Sequence, residues 1–134
     1  TEEDPGGPLD HPTLELLAAR GSSHHLVDGW RFEPDRLSPR SLVLVLDARQ
    51  YPPSISEVRL ECRWFVGGQY SVHYVESSNR DAWQCRWDRH PKPGEPTAHF
   101  HPPRDAGEPV EPSELADDHH LAVLFGVLDG SNTA

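Results

Sequence analysis

Three stretches decide the fold: EVRLECRWFV (57–66), QYSVHYVE (69–76) and AWQCRWDR (82–89). Each alternates with period two, the spacing of a strand that buries one face. In the first, Val58, Leu60, Cys62 and Trp64 share a face, and Arg59, Glu61 and Arg63 share the other. In the second, Tyr70, Val72 and Tyr74 oppose Ser71, His73 and Val75. In the third, Trp83, Cys85 and Trp87 oppose Gln84, Arg86 and Asp88. Gly67-Gly68 and the segment Ser77 to Arg80 supply tight turns between them. Successive alternating strands joined by short turns predict an antiparallel meander with an apolar and a polar face.

Working outward, SLVLVLDAR (41–49) is a β-branched and Leu run suited to a central strand, stopped by Tyr51-Pro52-Pro53. TAHFH (97–101) reads as a last short strand, with Ala98 and Phe100 inward and Thr97, His99 and His101 outward. Asp28-Gly29, within HHLVDGWRFE (24–33), signals a hairpin or a bend. TLELLAAR (13–20) is a short helical candidate, with Thr13 as its cap and Gly21 as its end. Residues 102–112 carry four prolines and read as loop. Ser113 then caps a helix reaching about Leu128, with Leu121, Leu124, Phe125 and Leu128 as its apolar stripe and Asp129-Gly130 as its stop. The expected organisation is an acidic tail over 1–12 and a single α+β domain over 13–134. That domain is one antiparallel sheet with a C-terminal helix and a short N-terminal helix packed on it.

A length of 134 residues suits one domain with one core. Acidic residues outnumber basic ones, 22 to 12, and Lys92 is the sole lysine. Strong acidity with almost no Lys resembles the bias of salt-loving organisms. A net charge of −10 repels nucleic acid in ordinary buffer. High salt screens that repulsion within a few ångströms, so a local Arg and His patch can still hold a phosphate. The apolar run Leu42 to Leu46 is strand-sized. No membrane span or secretory leader is visible, and the expected location is the cytoplasm. Cys62 and Cys85 read as buried free thiols, a disulfide between neighbouring strands being the alternative.

The polar face would collect Arg59, Glu61, Arg63, His73, Gln84, Arg86, Asp88, His99 and His101. A solvated sheet surface has the same composition. A sharper reading follows from the residue types. Imidazole moves protons near neutrality, arginine offers a fixed fork of donors to a phosphate, and a neighbouring carboxylate can orient a histidine. Phosphodiester transfer suits this set, and it requires no cofactor. The candidate catalytic residues are His99, His101, Arg86, Asp88 and His73, with Arg86 as phosphate clamp and Asp88 as orienting group. Arg59, Arg63, Gln84 and His90 are candidate binding residues. Metal binding competes for the same side chains: His99 and His101, with His73 or Asp88 across, could take zinc or another transition ion. His119-His120 and His24-His25 are unsuited to chelating as pairs, and Trp30 and Phe65 stand off the main core register.

From Tyr70 to His101 the chain resembles the TumE-like toxins of toxin–antitoxin pairs. The residues that carry the likeness are Tyr74, Arg86-Trp87-Asp88, His90-Pro91 and His99-Phe100-His101-Pro102, with a C-terminal helix following. The likeness extends over about residues 57–128. It implies an antiparallel sheet, a ribonuclease-like activity and an antitoxin partner. Members usually place a basic residue close after the His stretch, whereas here Pro102-Pro103 precede Arg104. Two readings stand side by side: a ribonuclease-like toxin using metal-independent acid–base chemistry on RNA, and a non-catalytic protein-binding domain or inactive relative. Assembly into a homo-oligomer is open in both.

Overall fold

The sheet is built in chain order, each strand pairing antiparallel with the next. A computed structural model describes residues 8–79, 81–89, 98–107, 111–113 and 119–132. After α1 (His11–Gly21) come β1 (Val27–Glu33), β2 (Ser41–Leu46), a 3-10 turn (Ala48–Gln50), β3 (Ile55–Trp64) and β4 (Tyr70–Ser78). Then follow β5 (Ala82–Arg89), β6 (Ala98–His101), β7 (Glu111–Pro112) and α2 (His120–Asn132). The strand order β1-β2-β3-β4-β5-β6-β7 is a pure meander, as the alternation predicts. The fold is α+β.

Both helices lie on the apolar face. Leu14, Leu17 and Ala18 of α1 and Val123, Leu124, Val127 and Leu128 of α2 join Leu42, Leu44, Leu46, Val58, Leu60 and Cys62 in one buried cluster. The ring of Trp64 stacks on that of Tyr70 at a centroid distance of 4.5 Å. They are directly opposite in the β3–β4 register, where cross-strand rings reinforce the pairing. Cys62 and Cys85 are free and buried, with β4 between their strands. Two strand spacings are about 10 Å, beyond the reach of a disulfide. Burial pushes both thiols up to about 12, which makes them inert core residues.

Several local expectations change. Asp10, not Thr13, caps α1: its carboxylate accepts from the Thr13 backbone N–H at 3.1 Å and from the Thr13 hydroxyl at 2.7 Å. The preceding residues are tied to the end of β3, since Val66 donates to the Pro8 carbonyl and Asp10 to that of Trp64. Asp28-Gly29 is no hairpin turn. The register slips between Val27 and Gly29, so the pair forms a bulge inside β1, whose two halves both pair with β2. Glu111–Pro112 add a two-residue strand where loop was expected, and proline is tolerated there because the strand is an edge. The Ser113 backbone N–H donates to the Ala98 carbonyl; residues 114–118, where the expected helix would start, lie outside the described residues, and α2 (His120–Asn132) runs past the expected stop at Asp129-Gly130.

Trp83 keeps the face that alternation assigns it but not the burial. It lies on the apolar face but is 40% exposed, with its ring edge-on to Tyr74 at 6.0 Å. The reason is coverage: α1 packs over β2 and β3, and β5 lies at the margin of the helical layer. Trp87 is half-buried there, against Phe100 at 5.2 Å. Among the described residues no helix is long and apolar enough to cross a membrane.

Candidate functional site

Register, rather than sequence proximity, assembles the polar face. Glu61 faces His73, His73 faces Arg86, and Arg86 faces His101, making one row across β3 to β6. Arg63, Ser71, Asp88 and His99 make the adjacent row. Arg59, Val75 and Gln84 make the third. At about 4.8 Å between strands, each four-residue row spans about 14 Å. Residues forty positions apart in the chain thereby become neighbours on one side of the sheet.

The rows close into a bonded cluster at β5 and β6. One oxygen of Asp88, Oδ2, accepts from Arg86 Nε at 3.0 Å and lies 3.0 Å from His101 Nε2. Arg86 Nη2 approaches the same imidazole nitrogen at 3.3 Å. That nitrogen cannot both donate to Asp88 and accept from Arg86. The shorter contact to a carboxylate favours the tautomer with the proton on Nε2, directed at Asp88. Burial is the main cause that moves the His101 pKa below its ordinary value; the positive charge of Arg86 adds to this and Asp88 opposes it. The neutral imidazole is therefore the favoured form near neutrality.

Asp88, His99 and His101 are all buried, an unusual state for three polar side chains on the outer face of a sheet. Each presents one ligand atom within 4.8 Å of the others. The second carboxylate oxygen, Asp88 Oδ1, is buried and has no hydrogen-bond partner among the described residues. In the row of Arg86 and His101, His73 Nε2 lies 2.8 Å from Gln84 Oε1, so the amide oxygen holds the N–H of this ring.

The remaining candidates separate from this cluster. Arg59 is clamped between Glu57 at 3.0 Å and Glu61 at 2.8 Å, so its guanidinium is already engaged. Arg63 is exposed at the far end of its row. With Leu9, Pro39, Arg40 and Phe65 it lines an open depression of about 400 Å³. Arg40 had no signal in the sequence, because it comes from the β1–β2 connection and reaches Arg63 only through the fold. Arg104 pairs with Asp81, away from the imidazoles. His90 lies outside the described residues.

The Toxin TumE family model matches residues 13–125. The chain belongs to the TumE toxin family. The match takes in most of α1, the seven described strands and the start of α2, and so covers far more than the His-rich segment. No curated protein and no solved structure matches the chain.

Proposed function

We propose that this TumE toxin is a ribonuclease-like enzyme that cleaves RNA by metal-independent acid–base chemistry on the outer face of β4, β5 and β6. The observation that supports this reading is the row His73–Arg86–His101, with an orienting partner on each imidazole. A phosphodiester seated over Arg86 has one histidine on either side. His101, held neutral by burial, takes the proton from a ribose 2′-hydroxyl through Nδ1, while Asp88 steadies the imidazolium that results. The 2′-oxygen forms its bond to phosphorus as the bond to the 5′-oxygen breaks. His73, which enters as the imidazolium with its Nε2–H held by Gln84, supplies its Nδ1 proton to the leaving 5′-oxygen. Arg86 offers two parallel donors to the charge developing on the phosphoryl oxygens. The products are a 2′,3′-cyclic phosphate and a 5′-hydroxyl. An antitoxin laid over this face would exclude the substrate, in keeping with the toxin family.

The test is cleavage of single-stranded RNA by the purified chain in EDTA. Wild type is expected to cleave, and His101→Ala to be slower by about 10²-fold or more, with unchanged far-UV circular dichroism. A folded His101→Ala protein as active as wild type would remove the proposed base and with it the mechanism.

A further inference from the structure

We propose that Asp88, His99 and His101 form a binding site for one divalent transition-metal ion of the zinc class, and that the ion acts as an inhibitor. The donor set is two imidazoles and a carboxylate, the mixture that borderline ions favour over magnesium or calcium. Strand geometry brings them together. His99 and His101 stand two residues apart on β6 and so project to one side, and Asp88 faces His99 directly across β5–β6. All three are buried, so the ion would meet little competition from bulk water.

The second observation is the orphaned oxygen. Burying a carboxylate oxygen without a partner is costly, and Asp88 Oδ1 is in that state. Arg86 occupies the other oxygen, Oδ2, and can remain there as an ion takes Oδ1. Around a tetrahedral ion, donors at 2.0–2.1 Å lie about 3.4 Å apart. The three ligand atoms already lie within 4.8 Å of one another, so closing on an ion requires each to move by about an ångström. The guanidinium of Arg86 beside His101 repels the ion and keeps the site weaker than a structural zinc centre.

The inhibitory consequence rests on the proposed ribonuclease reading. An ion on His101 and Asp88 occupies the base and its orienting group together, so bound zinc and proton transfer exclude each other. The binding claim stands apart from that reading and is measured without RNA. The full chain, stripped with EDTA and then freed of it, is titrated with zinc by calorimetry and with cobalt(II) by visible absorption. One ion per chain is expected. Asp88→Asn and His99→Ala are each expected to weaken binding by tenfold or more, and His25→Ala, an exposed histidine elsewhere, to leave it unchanged. Binding unaffected by both site substitutions, or abolished by His25→Ala, would overturn the site. His99→Gln serves as a milder variant if either of the first two does not fold. Adding zinc to the RNA assay then reads the second clause alone. Zinc that binds at these residues without slowing cleavage would overturn inhibition and leave the site standing. Absence of any cleavage in EDTA would instead count against the ribonuclease reading.

Discussion

Arg86→Ala is expected to slow RNA cleavage by about 10²- to 10³-fold, the effect of removing one fixed donor to a developing oxyanion. Arg86 is half-buried between His73 and His101 in a single cross-strand row, and its Nε is already directed by Asp88. Its fork is therefore preorganised, so little reorganisation accompanies the reaction. Arg86→Lys keeps the charge and loses the planar fork, and an intermediate rate is expected. The two variants should differ mainly in the single-turnover rate constant. Equal rates for alanine and lysine would mean that the charge itself contributes nothing. Loss in KM alone would assign Arg86 to ground-state binding rather than to the transition state. Circular dichroism and a urea melt keep the comparison to folded protein.

Leu60→Ala is expected to lower the unfolding free energy by about 2–5 kcal/mol, the range for deleting a buried leucine from a packed core. Leu60 is fully buried on β3, opposite Leu44 on one side and Tyr74 on the other. Against a typical total of about 5–15 kcal/mol, that is a large share of the whole. The urea midpoint should fall with little change in slope. The next residue along the strand, Glu61, begins the row that leads to Arg86, on the opposite face. Stability and chemistry thus occupy opposite sides of the same strand. Well below the new melting temperature, the folded Leu60→Ala protein should cleave RNA at close to the wild-type rate. A large loss of activity in the folded variant would show that core and site are coupled through the sheet.

Much of this separation was legible in the alternation of residues 57–89. Period two assigns every side chain to a face before any pairing is known, which is why Arg86, Asp88 and His73 could be placed together. What alternation cannot give is lateral register, because that depends on how each turn is closed. The row His73–Arg86–His101, and the facing of Asp88 with His99, exist only once β4, β5 and β6 have paired. Burial was equally hidden. Asp88, His99 and His101 alternate like solvent-facing residues, yet all three are buried, while Trp83 alternates like a core residue and is half in water. The reach of the helical layer sets the exposure of Trp83, and local pattern carries no trace of it. The same holds for the start of α1. Thr13 has the right chemistry for a cap, but the chain is held to the end of β3 at Pro8 and Asp10, which puts the Asp10 carboxylate at the cap instead. Arg59 shows the reverse case, a plausible phosphate ligand by composition that two flanking glutamates have already taken.

The ends of the RNA products test the account most directly. Single-stranded RNA is digested by the chain in EDTA, and the fragments are analysed by mass spectrometry. Attack by the ribose 2′-hydroxyl, with His101 and His73 moving the protons, predicts 2′,3′-cyclic phosphate and 5′-hydroxyl ends, and no cleavage where the nucleotide before the scissile bond is 2′-deoxy. Fragments bearing 5′-phosphate and 3′-hydroxyl ends, formed only when a divalent ion is added, would contradict it.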